Sequence, residues 1–191
     1  MAKRSKHNLK WIKETLELKE NHLWKATPGY QVFVADRGAV RFDVPQGWIL
    51  EPQQSSFRFT DGKPPDDNCC LEVSFNRLPP ADYSQIPLPR LLRQVVDRDT
   101  RNVIKRSIIH EVNRVALRLV WTELLFMDSN EHRQAFSRIA VGLGAGIQCL
   151  LTFDYWVEDA ERFLPVWDTA LSTLQLGLYI SDPTTGAARP D

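Results

Sequence analysis

The sequence predicts an α+β fold, a mostly antiparallel β-sheet covered on both faces in the manner of an α/β/α sandwich. Three observations predict it. From Tyr30 onward, short runs of alternating apolar and polar residues succeed one another between turn residues. Stretches with helical spacing stand before, within and after these runs rather than between every pair, which excludes a regular βαβ alternation. The run 116–126 carries large apolar groups on both faces, Leu117, Leu119 and Trp121 against Val120, Leu124 and Phe126, as a strand between two layers must. With 191 residues, 43% of them hydrophobic and 25% charged, the chain fills one globular domain. The predicted organisation is an N-terminal helical arm over 1–27, a single domain over 28–180 and a flexible tail over 181–191.

The arm opens the chain. Leu9, Ile12, Leu16 and Leu23 recur near helical spacing between 5 and 25, flanked by Trp11 and Trp24, until Thr27-Pro28-Gly29 stops the helix. Val32 to Val34 and Val40, Phe42 and Val44 then form two strands about the turn Asp36-Arg37-Gly38, with Arg41 and Asp43 on the wet face. Pro45 lacks an amide donor and closes the second strand, and Gly47 permits the turn that tucks Trp48 underneath. Phe57 and Phe59 mark a short strand, 61–68 is a loop by composition, and Leu71, Val73 and Phe75 alternate as another strand. The prolines between 79 and 89 make an ordered connector into a helix over 88–101, whose apolar side holds Leu91, Leu92, Val95 and Val96. Four strands follow, 107–113, 116–126, 132–143 and 147–156, with turns at Asn113-Arg114, 128–131 and 144–146. Phe163, Trp167, Leu171 and Leu174 then define an amphipathic helix that Gly177 caps, and 182–191 reads as a frayed tail.

The segment Val40-Arg-Phe-Asp-Val-Pro-Gln-Gly-Trp48, a strand ending in a Pro-x-Gly-Trp corner, resembles the opening of the PsbP-like family. That family's α/β/α sandwich is shared by the extrinsic photosystem II protein, the Ran-binding factor Mog and the bacterial DcrB proteins. The hairpin from Arg133 to Tyr155 and the closing helix with Pro165 and Trp167 are similar to the same family's end, so the resemblance spans roughly 30–178. It implies a role in binding other proteins or in assembly, and no shared catalytic motif. The chain departs from the photosynthetic members in having the arm where they carry a lumenal targeting segment, so a direct part in oxygen evolution is not expected.

No catalytic, cofactor or metal motif emerges. Gly142-Leu-Gly-Ala-Gly146 fails as a dinucleotide fingerprint, because Ile147 stands where the third glycine belongs and a strand follows instead of a helix. His7, His22, His110 and His132 are singletons, and Cys69, Cys70 and Cys149 have neither a disulfide nor a zinc spacing. On a strand Cys69 and Cys70 face opposite ways, one into the core and one at its boundary. The start is interrupted by charges and no run reaches a membrane span, so a cytoplasmic location is expected.

Charge supplies the remaining candidates. Basic and acidic residues both number 24, yet 1–25 holds seven basic residues against three acidic and 90–106 six against two. Trp11, Trp24, Arg90 and Arg93 are therefore candidate partner contacts. Nucleic acid is not expected, since no aromatics interleave with the basic residues as stacking platforms. Arg118, Glu123, Arg138 and Asp154 stand inside apolar strands and are either paired structurally or gathered in a polar pocket. The leading functional expectation is a non-catalytic protein-binding or adaptor module. The alternatives are an enzyme or small-ligand binder using that pocket, and a protein self-associating through its arm.

Overall fold

The computed structural model describes residues 17–188. The first pair of strands, β1 (Tyr30–Ala35) and β2 (Val40–Pro45), is antiparallel about a tight 3₁₀ turn at Asp36–Gly38. The chain continues with β3 (Ile49–Pro52), β4 (Ser56–Thr60), β5 (Cys69–Arg77), then helix α1 (Leu88–Val96), β6 (Asn102–Arg106), β7 (His110–Arg114), β8 (Leu117–Met127), β9 (Gln134–Gly144) and β10 (Ile147–Trp156). Helix α2 (Ala160–Thr173), β11 (Gln175–Leu176), β12 (Ile180–Asp182) and β13 (Ala187–Ala188) complete it. Eight strands form one antiparallel sheet in the order β3-β4-β5-β10-β9-β8-β6, with β7 also pairing β8. β1, β2 and β11 form a separate three-stranded sheet.

Two cores lie on opposite faces of the large sheet, as its doubly apolar strands require. On one face α1 places Leu88, Leu92 and Val96 against Val120, Leu124, Ile139 and Val141. On the other, α2 and the small sheet bury Phe33, Phe42, Phe59, Phe153, Phe163 and Trp167. Trp48 follows Gly47, whose φ of +81° suits glycine, and its indole packs at 6.1 and 6.2 Å from the Phe153 and Phe163 rings. The Pro-x-Gly-Trp corner thus locks the small sheet to both α2 and the large sheet.

Several expectations are corrected. Residues 17–25, assigned above to a helix, contain a turn at 20–21 and no helix or strand; 1–16, including Trp11, lie outside the described residues. The segment instead lies along the C-terminal hairpin: Lys19 N–H donates to Thr184 O at 3.1 Å and Leu23 N–H to Thr185 O at 2.6 Å. That hairpin, β12 with β13, occupies 180–188, where a frayed tail was predicted. Arg41 and Asp43, read as a wet face, are 9% and 1% exposed because the arm and the end of α2 cover them: Arg41 donates to Lys25 O at 2.8 Å and to Thr173 O at 3.0 Å, and Asp43 accepts from Thr27 N–H at 2.7 Å. Their own ion pair is 2.9 Å. α1 ends at Val96 rather than 101, and Gly177 follows β11 instead of capping α2. β3 is an addition to the predicted strands. The predicted strand 107–113 begins only at His110 as β7, β6 over Asn102–Arg106 is a further unpredicted strand, and the turn after β7 falls at 115–116, beyond Asn113-Arg114.

Candidate functional site

Strand alternation divides the four charged residues of the expected pocket into two pairs on opposite faces. Glu123 on β8 stands opposite Arg138 on β9 and both face α2. Arg118, also on β8 but five residues away from Glu123, faces α1, as does Asp154, the cross-strand neighbour of Ser137. The single pocket is therefore not formed. Arg138 Nε donates to Glu123 Oε2 at 2.7 Å, its side chain is 10% exposed, and its guanidinium lies 5.1 Å from the centre of the Trp121 ring. Tyr155 Oη donates to the same carboxylate at 3.4 Å, and burial pushes that phenol well above its ordinary pKa. His110 stacks on Trp121 at 4.3 Å. Arg118 is structural: it donates to the carbonyls of Ser84 and Ile86 at 2.6 and 2.8 Å, clamping the proline-rich connector to the sheet.

Asp154 belongs to a cluster centred on Arg101, a residue the sequence offered only as one charge in a basic run. Arg101 donates to Asp154 at 2.9 Å, to Ser137 at 2.9 Å and to both oxygens of Asp99. Two carboxylates share one guanidinium and respond in opposite senses. Hydrogen bonds from Arg101 hold Asp99 below the usual carboxylate range, whereas burial raises Asp154 despite the same cation. Beside this cluster lies a cleft of about 240 Å³ between Cys70, Phe126, Asp128 and Trp156. Burial, with carboxylates nearby, pushes the Cys70 thiol up to about 11, and burial pushes Cys149 up to about 12. These thiols remain protonated at neutral pH, which is the reverse of an activated nucleophile. Among the described residues no group of three or more His, Cys, Asp or Glu is placed to hold a metal ion, and no helix is long and apolar enough to cross a membrane.

The surface is more informative than the clefts. The large apolar side chains exposed among the described residues fall in two places. Leu18 and Leu23 lie on the arm and Tyr179 just before the C-terminal hairpin. Ile104, Ile108, Val112 and Val115 all belong to the outer margin of the large sheet, where Ile108 is 75% exposed. β6 pairs with the Leu124–Met127 end of β8 and β7 with the Leu117–Trp121 end, so the two are collinear pieces of one edge. Ser107 N–H donating to Glu123 O bridges the gap between them. Neither piece pairs with a further strand among the described residues.

The other candidate contacts are dispersed. Trp24 is held by its own chain: its indole N–H donates to Pro183 O at 2.8 Å and its ring lies against Gly186. Arg90 and Arg93 are exposed on α1 and form no ion pair among the described residues.

Comparison with known proteins agrees with this architecture. The family model Alr1449 matches residues 31–180. A protein of Nostoc sp. named "Uncharacterized protein alr1449" is 57% identical over 192 residues, covering 100% of both chains. The solution structure of cyanobacterial PsbP (CyanoP) from Synechocystis sp. superposes with a TM-score of 0.56 at 14% identity, over 78% of this chain and 93% of that one. The Ran-binding protein Mog1p of Saccharomyces cerevisiae gives 0.51 at 8% identity, over 77% and 95%. The fold is PsbP-like, as the corner and the terminal hairpin and helix imply.

Proposed function

We propose that this chain, which belongs to the Alr1449 family, is a non-catalytic protein-binding or assembly module whose partner adds at the outer edge formed by β6 and β7. The observation that carries the reading is the concentration of Ile104, Ile108 and Val112, with Val115 in the adjoining turn, on an edge whose outer backbone groups pair with no further strand among the described residues. Exposed strands that keep both apolar side chains and unpaired amides are templates for another chain, and folded proteins ordinarily blunt them. β7 is short and carries Glu111 and Arg114, but its five residues keep continuous register with β8 and include neither proline nor a bulge. The Ran-binding protein Mog1p shares the fold, which lends the reading support by analogy. A cytoplasmic location is part of the proposal, and three unpaired cysteines support it.

Affinity capture of the tagged full chain from its own cells tests the module reading. The partner is expected with the parent protein and with Leu23→Asp, and its yield is expected to fall at least about tenfold with Val112→Asp, whose charge would enter the edge. Capture of no specific partner, or equal capture by the Val112 variant, would contradict it.

A further inference from the structure

Resting on that reading, we infer that the occupant of the edge is an extended, acidic segment of another polypeptide, added as a strand to β7 and continuing past Ile108 toward β6. The edge is electrostatically one-sided. Between 102 and 114 it carries Lys105, Arg106 and Arg114 against Glu111 alone. Arg106 is matched by Asp97 at 2.8 Å, whereas Lys105 and Arg114 form no ion pair among the described residues. Arg114 instead donates to the last carbonyls of α2, Ser172 O at 2.6 Å and Leu171 O at 2.9 Å, so its charge stays uncompensated by any carboxylate. Arg93, exposed on α1, lies one helical turn before Asp97 and extends the positive surface beside Arg106.

Shape and charge together select the occupant. Backbone pairing fits β7, where register is continuous; β6 has an irregularity between Val103 and Lys105 that interrupts a regular ladder. Beyond β7 the incoming chain therefore meets Ile108 and Ile104 as apolar contacts and Lys105 and Arg106 as charges. A second copy of this chain is disfavoured, because a second β7 turns away at 115–116 with Glu111 as its one carboxylate and brings none to Lys105 and Arg106, and its arm, with seven basic residues against three acidic over 1–25, has the wrong sign. A partner strand alternating apolar residues with glutamate or aspartate supplies both complements.

The test uses three fluorescent probes with the full-length protein: a nine-residue peptide alternating valine and glutamate, its valine–lysine counterpart, and a fifteen-nucleotide oligothymidylate. Anisotropy is expected to show saturable binding of the acidic peptide that weakens with added salt, and at least tenfold weaker binding of the lysine peptide. The Lys105→Glu/Arg106→Glu variant is expected to lose at least tenfold for the acidic peptide. Consecutive amides of a strand point to opposite edges, so of Glu111→Pro and Val112→Pro one cuts the β8 ladder and the other removes an outward donor. Whichever of the two keeps a native melting temperature is expected to abolish binding.

No saturable binding up to millimolar peptide, equal binding of the lysine peptide, or displacement by the oligothymidylate would overturn the inference. So would sedimentation showing a dimer that the outward proline dissolves. A cellular partner lost with Val112→Asp but captured equally by Lys105→Glu/Arg106→Glu would overturn the acidic-strand inference and leave the module reading standing.

Discussion

The Glu123–Arg138 pair is the most exacting polar contact on this face of the sheet, because a guanidinium only 10% exposed has Glu123 at 2.7 Å, the exposed Asp168 no nearer than 4.0 Å, and the face of Trp121. Replacing Glu123 by Gln leaves that nearly buried cation with a neutral close partner and only the solvent-screened Asp168 at 4.0 Å. We expect a loss of about 2–3 kcal/mol in urea unfolding, against less than ~0.5 kcal/mol for Glu72→Gln in the more exposed Arg58 pair. The Arg101 cluster gives a signature in pH. Asp99 has a lowered pKa, so its contribution is present above the unfolded carboxylate range and is lost as the solution is acidified; Asp99→Asn should cost about 1.5 kcal/mol at neutral pH and progressively less toward about pH 3. Asp154 has a raised pKa, so its ionisation works against folding, and the stability of Asp154→Asn relative to the parent should rise as pH rises above the usual carboxylate range, the window on the other side of that range from Asp99's. Unfolding midpoints measured at several pH values check both slopes. Part of this site was legible in the sequence. Arg118 and Glu123 are five apart on one strand, an odd spacing that already places them on opposite faces. The pairing of Glu123 with Arg138 was not legible, since it requires the β8–β9 register, and Arg101 enters from the segment after α1 with no local signal at all.

At the scale of elements, the β9–β10 hairpin shows why the glycine-rich run is structural. Ala145 and Gly146 form a two-residue turn with φ of +47° and +69°, the left-handed conformation such hairpins need. Gly144 serves a different end, because a Cβ there would collide with the carbonyl oxygen of Ala116 on the neighbouring strand connection. Gly144→Ala should therefore cost at least about 2 kcal/mol, whereas Gly146→Asn, with open space around it and a residue tolerant of positive φ, should stay within about 0.5 kcal/mol. Thermal melts of the two variants decide it. β10 was read residue for residue, since strict alternation and tight flanking turns leave no freedom of placement. The edge was read less well: 107–109 is not paired as strand, and β6 carries exposed polar residues whose only reason to be extended is pairing with β8. Such tertiary pairing leaves no period in the sequence.

For the molecule as a whole, the formal charge of zero is a cancellation between a basic beginning and an acidic remainder. In the described part of the arm this balance is used internally: Lys19 pairs with Asp182 at 2.9 Å, and Thr27 caps the buried Asp43. Both cores are assembled from residues 33 onward. Deleting 1–26 should accordingly leave a cooperatively folded domain by circular dichroism, destabilised by about 1–3 kcal/mol because Arg41 loses the Lys25 carbonyl, one of its two, and the C-terminal hairpin loses the Trp24 ring packed on it. The sandwich and its PsbP-like class were legible from periodicity and the Trp48 corner. The placement of the arm was not, because 17–25 is held by backbone bonds to a hairpin some 160 residues away, as in Leu23 to Thr185. Among the described residues the β6–β7 edge is the one that joins open backbone to several exposed large apolar side chains, and a second polypeptide is proposed to occupy it. A photo-cross-linking residue placed at Ile108 in cells, with Arg162 on α2 as the control position, tests this most directly. The account predicts one discrete adduct from position 108 and none from 162, lost when the outward amide of β7 is replaced by proline. No adduct from 108, or the same adduct from both positions, would contradict it.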